Sequence, residues 1–370
     1  MMVLIAGVGA TIAADQAAPT RIVLIAGRPS HGPGAHEHRA GMLLLKRCLD
    51  AVPGLEVEVH DGGWVSTKDA FDGASGVAIF ADGGARHPLL VDDHLATTAR
   101  LVDERGIGLG LMHYAVELPR GDAAKRVDSW IGGHYETQVS CNPIWEARVE
   151  QLPDHPVTQG ASPFATTDEW YFNVQFGDAT GAGSGSAEGA GRVTPILVAT
   201  PSDAVRQGPY VHPHGPYPDV VAASGRRETL MWVFERSDGG RGFGLNGGHF
   251  HGNWGIGAFR AIVLNALVWI AGVEVPNGGV RSVINEDDLV ENLDERGKST
   301  YDATSGELVG SDTVVDQIRR IRRDSDVKAI VHTHAPYASA LAATGKGRIL
   351  QRPSCVGGID LAGGGTIETM

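Results

Sequence analysis

Short apolar runs rich in β-branched residues alternate with longer runs of helical periodicity over the first third of the chain. Residues 22–26, 55–60, 77–81 and 107–112 read as strands, the last with glycines inside it. Between them, residues 36–52 carry Leu43, Leu44, Leu45, Cys48 and Leu49 on one helical face, and residues 89–104 repeat apolar positions at i,i+3 and i,i+4. Strands separated by helices imply βαβ units, hence an α/β fold with a parallel sheet flanked by helices and ligands at the strand carboxyl ends. The pattern changes in the middle, where residues 145–150, 193–200, 230–235 and 242–245 predict further strands joined by long loops, as β-rich insertions. Residues 177–191 hold little but Gly, Ala and Ser and predict a flexible surface excursion. Residues 207–218 hold four prolines and two histidines and predict an irregular loop. Residues 258–273 are very apolar, but Arg260 and Asn265 interrupt them and the run falls short of the roughly 20 residues that span a bilayer, so a buried helix is expected and no membrane.

Charge and composition narrow the partners. Thirty-one basic residues against 44 acidic ones leave a formal charge of −13, which repels a nucleic-acid backbone. Cys48, Cys141 and Cys355 lack metal or redox spacing and give no disulfide framework. Residues 1–14 are apolar and small before Asp15, like the back half of a secretory signal without its positive start; export or a periplasmic location is favoured over the cytoplasm. The expected organisation is a signal-like segment over 1–19, a main domain over 20–297 and a tail over 298–370.

Three histidine-rich points sit beside predicted strand ends or glycine turns. The first, His31-Gly-Pro-Gly-Ala-His36-Glu-His38, follows the first strand, where α/β folds place ligands; it lacks the G-x-G-x-x-G spacing, so no nucleotide cofactor is expected. The second, His113-Tyr114-Ala-Val-Glu117, follows the fourth strand with no Cys or Ser to act as a nucleophile, so His113 is a candidate ligand or general acid/base. The third is Gly247-Gly-His249-Phe-His251-Gly-Asn253-Trp254. Two histidines at i,i+2 of an extended segment share a face, which suits a metal site or two contacts with one sugar. Asp82 and the run Asp168-Glu169-Trp170-Tyr171 add carboxylates and aromatic rings, the materials of a carbohydrate site.

Taken in order, these motifs resemble the trehalose-utilisation (ThuA-like) family. Gly27-Arg-Pro-Ser-His31 through His38, Leu111 through Glu117, Trp130-Ile-Gly-Gly, Asp168 through Tyr171 and Gly247 through Trp254 carry the resemblance. So does the run from Phe259-Arg260 through Asn265 and Trp269 to Pro276. The resemblance implies a flavodoxin-like, class I glutamine-amidotransferase-like fold without the amidotransferase cysteine. It also implies a role in disaccharide catabolism through 3-keto sugars. The chain departs from it after Trp254, where Gly255-Ile-Gly-Ala258 stands in place of acidic residues. In the tail, Asp326 through Leu341, with His332, His334 and Tyr337, resembles the zinc-binding strand of class II aldolases; no histidine follows His334, so the stretch reads as an incomplete fragment.

The expected function is an enzyme acting on an oxidised (3-keto) disaccharide or glycoside as a hydrolase or isomerase, not as a glutamine amidotransferase. His113 and Glu169 are its candidate catalytic groups. His36, His38, Asp82, Tyr114, Glu117, Trp170, Asn253 and Trp254 are candidate contacts for a small sugar. His31, His249 and His251 are candidate ligands of a divalent metal such as zinc. The alternative is a carbohydrate-binding protein without catalysis on the same fold.

Overall fold

The computed structural model describes residues 19–177 and 191–294. The chain divides into two compact units, one of Met1–Ser30 with His36–Asn292, the other of His31–Ala35 with Leu293–Met370. In the second, the described turn closes with Ala35 N donating to Gly32 O at 3.1 Å. The predicted signal-like segment up to residue 18, the Gly/Ala/Ser excursion over 178–190 and the aldolase-like stretch lie outside the described residues.

In the first unit the pattern of alternation becomes a central sheet. Strands β1 (Thr20–Ala26), β2 (Leu55–His60), β3 (Ala74–Phe80) and β4 (Gly108–Met112) are joined through helix α1 (His38–Leu49) and the short helix α2 (His94–Ala99). After β4 come helix α3 (Asp122–Ile131), the two-residue strand β5 (Gly133–His134), strands β6 (Ile144–Val149) and β7 (Phe164–Glu169), and the two-residue strand β8 (Gln175–Phe176). The chain then runs through β9 (Gly191–Ala199), α4 (Asp203–Arg206), α5 (Pro218–Ala222), β10 (Glu228–Arg236) and β11 (Arg241–Leu245) to α6 (Gly257–Ile270). The seven-stranded sheet has the order β2-β1-β3-β4-β11-β10-β9. Its first five strands are parallel and reproduce the 2-1-3-4-5 order of flavodoxin-like sheets. β10 runs antiparallel to both β11 and β9, so the mostly parallel sheet ends in an antiparallel edge.

Burial on both faces explains why β1 reads as an unbroken apolar run. Ile22, Leu24 and Ala26 enter one core and Val23 and Ile25 the other. α6 covers the first core and buries nearly its whole length; its two polar interruptions are satisfied. Arg260 donates to Trp254 O and to Ser282 Oγ, while Asn265 bridges Val157 O, Gln159 O and Val280 N. The 89–104 run is not one helix. Pro88 starts a 3₁₀ turn that the His87 ring caps at Leu89 N, Asp92 takes a positive φ of 47°, and only then does α2 begin, running into a π turn at Arg100–Glu104. α3, absent from the sequence expectation, places Ala123, Ala124, Val127, Trp130 and Ile131 inward at helical spacing and stops at Gly132, whose φ of 90° makes a left-handed cap.

Close approach of α6 to the sheet demands Gly108. A Cβ there would stand 2.0 Å from Ile270 O. Gly108→Ala is therefore expected to cost about 1–3 kcal/mol as overpacking against backbone that cannot step aside. Thermal unfolding of the variant checks this, and an unchanged Tm would mean the helix can shift at no cost.

Candidate functional site

Four side chains from four separate strand ends meet in the interior. β1 leads to His36, β4 to His113, β11 to His249, and the β6–β7 hairpin delivers Glu169 at its last position, opposite Ile144. Parallel β1, β4 and β11 all end at the same side of the sheet, next to the β1/β3 switch point, where this topology opens a crevice. His36 and His113 take φ of 50° and 54°, a left-handed backbone uncommon outside glycine. His113 holds the tight strand-to-turn position after β4, so its imidazole is thrust back over the strand end. Such strain is retained where the surroundings over-determine it, at working sites above all.

The donor atoms nearly touch. His36 Nε2 lies 3.1 Å from His113 Nε2 and 3.1 Å from His249 Nδ1. Glu169 Oε2 lies 2.6 Å from His249 Nδ1 and 3.8 Å from His113 Nε2. All four residues are buried, and their four donor atoms fall within 4.8 Å of one another. Ligand bonds of 2.0–2.1 Å in a tetrahedron require donors about 3.3 Å apart, close to these separations.

The surrounding partners fix which nitrogens carry protons. His113 Nδ1 lies 2.9 Å from Asn246 O, an acceptor only, so that nitrogen carries the hydrogen and Nε2 presents a lone pair. His36 Nδ1 faces Asp82 Oδ1 at 3.0 Å, which places its hydrogen there and turns its own Nε2 lone pair inward. The two Nε2 atoms thus face each other at 3.1 Å, a spacing that a shared proton or a cation can bridge. Burial pulls the His249 imidazole down, but the Glu169 carboxylate and the Asp168 charge outweigh burial and hold it above its ordinary range. Asp168, pushed up by burial, accepts from Gly248 N at 2.8 Å and Phe250 N at 3.2 Å and so clamps the turn that aims His249.

Beyond the cluster, Tyr114 and Glu117 flank one glycine. A Cβ on Gly84 would meet the Tyr114 hydroxyl at 3.3 Å and Glu117 Oε1 at 3.5 Å. The Tyr114 ring centre stands 6.0 Å from that of His36. Burial raises the Glu117 carboxyl, although Thr137 Oγ1 donates to it at 2.5 Å, and burial with the Glu117 charge pushes Tyr114 up to about 12. Asp82 bonds His36 and Ser30 through Oδ1 and pairs with Arg86 through Oδ2. His38 is buried, with Nδ1 3.2 Å from Arg28 O and Nε2 4.0 Å from Asp82 Oδ1, behind the cluster.

Several sequence-predicted roles need correction. Trp170 and Trp254 are fully buried, Trp170 edge-on to Phe259 and Trp254 stacked on it, so neither offers a flat face to a sugar. Asn253 accepts from Thr166 Oγ1 and donates to Thr167 O, which ties the Gly-rich turn to β7. His249 and His251 are not on one extended segment, because His251 opens a 3₁₀ turn, His251–Gly255; His251 is outside the four-residue group. His31 belongs to the second unit. His36, by contrast, moves from sugar contact into the donor group, where it joins His113 and Glu169, the candidate catalytic groups. Sequence reading missed Asn142, whose Nδ2 donates to Glu169 Oε1 at 2.8 Å, and Asn246; a lone asparagine outside any periodic pattern gives no signal. It also passed over Tyr171 as a site residue, whose hydroxyl stands 3.4 Å from His113 Nε2.

No family model and no curated protein matches the sequence. Among solved structures, the chain is similar to a protein described as ThuA-like from Bacteroides uniformis, at 15% identity and a TM-score of 0.47, covering 71% of this chain and 95% of that one. A second protein so described, from Parabacteroides merdae, shares 14% identity at a TM-score of 0.45, covering 73% and 94%. The glutaminase domain of Trypanosoma brucei CTPS with bound acivicin shares 10% identity at a TM-score of 0.36, covering 68% and 94%.

Proposed function

We propose that this chain is a metal-assisted enzyme of carbohydrate breakdown, of the ThuA-like kind, acting on an oxidised (3-keto) disaccharide or glycoside. The observation that carries the metal is the convergence of four donor atoms within 4.8 Å: His36 Nε2 lies 3.1 Å from His113 Nε2 and 3.1 Å from His249 Nδ1, and His113 Nε2 lies 3.8 Å from Glu169 Oε2. Three imidazoles and one carboxylate suit zinc or a neighbouring divalent transition metal. Bound there, such an ion supplies Lewis-acid polarisation of a carbonyl oxygen. The sugar rests on the ordered motif resemblance.

The chain's own residues would divide the remaining work. Asp82 and the Asn246 carbonyl fix the tautomers of His36 and His113, as outer carboxylate and carbonyl partners of ligating histidines do. Glu117, whose carboxyl burial raises above its ordinary range and which lies close to Tyr114, is the group suited to pass a proton to a leaving oxygen. The turn after β4 carries His113 in place of a Cys or Ser, so acyl transfer as in a glutamine amidotransferase has no nucleophile at that position.

The decisive measurement is release of free sugar from a 3-keto-disaccharide by the full chain. Release is expected to stop on chelation and return on adding Zn(II). Release indifferent to the chelator would remove the metal from the reading. No release from folded, zinc-loaded protein would remove the sugar.

A further inference from the structure

Asn142 sits where two otherwise separate parts of the first unit meet. The residue is 7% exposed. Nδ2 donates to Glu169 Oε1 at 2.8 Å, while Oδ1 accepts from His212 N at 3.2 Å. Its backbone carbonyl accepts from Val211 N, also at 3.2 Å. The orientation of the amide is set by its neighbours, since a carboxylate only accepts and a backbone N–H only donates; a flipped amide would break both bonds at once.

The loop it grips is otherwise held from beneath. Tyr210 is buried, its hydroxyl donates to Arg206 O at 2.6 Å, and its backbone N bonds His214 O. His212 and His214 are exposed, with ring centres 6.3 Å apart. Glu169 uses Oε1 for Asn142 and leaves Oε2 for the histidines. A carboxylate tethered in this way offers a single oxygen at a fixed angle, and without the tether it could rotate or turn both oxygens inward.

We propose that Asn142 is a positioning residue that presents Glu169 to the metal through one oxygen and ties the 211–212 backbone to the same carboxylate, so that filling the site stiffens this loop. The inference rests on the metal reading above. It makes the histidine-bearing loop a part of the site that responds to the ion, although the loop contributes none of the four donors.

The test uses the full chain with Co(II) as the probe, read by its visible absorption, together with hydrogen exchange at the Val211 and His212 amides. Wild type is expected to bind Co(II) and to gain exchange protection at both amides. Asn142→Leu, close in shape but without the amide, is expected to bind Co(II) roughly 10–100-fold more weakly, as loss of a ligand's orienting partner does, with an altered spectrum and no gain in protection. Asn142→Ser, smaller and easier to accommodate, should move both readouts the same way if the leucine variant does not fold. Variants that bind Co(II) with wild-type affinity and spectrum overturn this inference alone. Protection gained equally in variant and wild type overturns the loop coupling. Failure of wild type itself to bind Co(II) overturns the metal reading and this inference with it.

Discussion

His113→Ala is expected to weaken divalent-metal binding by at least about 100-fold, beyond what loss of a merely orienting partner costs, and to abolish sugar release to the same degree. His113 supplies one of four donors and the only one whose backbone is thrust over the end of β4. Alanine leaves His36 Nε2, His249 Nδ1 and Glu169 Oε2 in place, a three-donor set that would hold a metal with an open position but less tightly than four donors. A companion variant separates this loss from unfolding. At φ 54° a non-glycine residue stores backbone strain that glycine does not. His113→Gly should therefore lose metal and turnover as fully as alanine does, while its metal-free thermal stability stays level with that of metal-free wild type. Calorimetric titration with Zn(II) and thermal unfolding with chelator present give the two readouts. Wild-type zinc affinity in either variant would remove His113 from the donor set.

That expectation draws on a position whose importance was legible in the sequence and whose geometry was not. The unbroken apolar run of β1, the helical face of α1 and the strand-then-histidine order of the first and second motifs all follow from local pattern. They suffice for the α/β class and for ligands at strand ends. Partnership is a different matter. Glu169 and His249 are 80 positions apart, and the hairpin of β6 and β7 that carries one to the other was only half visible. β6 alternates cleanly, whereas Phe-Ala-Thr-Thr-Asp-Glu in β7 has too few apolar residues to declare a strand. The antiparallel edge of β9 and β10 escaped for a similar reason, since strand direction is set by connections and not by composition.

The aromatic residues misled for a physical reason of another kind. A tryptophan beside two carboxylates looks like a sugar platform, yet Trp170 and Trp254 bury their area around Phe259 in the core under α6, where each anchors the segment carrying a site residue. Trp170 Nε1 finds its partner at Thr166 O, which removes the cost of taking an indole inside. Composition alone cannot separate a ring that stacks on ligand from one that stacks on a helix. The distinction lies in which face of β7 points inward, and that is fixed by pairing with β6.

Acid is expected to destabilise the metal-free protein between about pH 6.5 and 4, and His87 gives the clearest share. The ring is fully buried. Nδ1 accepts from Leu89 N at 3.0 Å and Nε2 lies 2.8 Å from Ala115 O, so the neutral ring with its hydrogen on Nε2 satisfies both neighbours. Burial pushes its pKa down from 6.5 to about 4, and protonation would also break the bond from Leu89 N. The sign follows from proton counting. Between these values the unfolded chain binds the proton and the folded chain does not, so stability is full above about pH 6.5, falls as pH drops toward 4, and loses about 3 kcal/mol from this residue across that window. His251, also pushed down to about 4 by burial, adds a loss of the same sign. Glu117 and Asp168, raised by burial, act in the opposite sense, because a carboxyl held high in the fold takes up its proton there first. Comparing wild type with His87→Gln cancels these shared contributions. The variant is expected to be less stable at pH 7, where the cap on Leu89 is disturbed, yet to lose about 3 kcal/mol less than wild type between pH 7 and 4, measured by urea unfolding with chelator present. Parallel stability curves for the two proteins would show that His87 is protonated in the folded state, and the acid sensitivity would then have to come from elsewhere in the core.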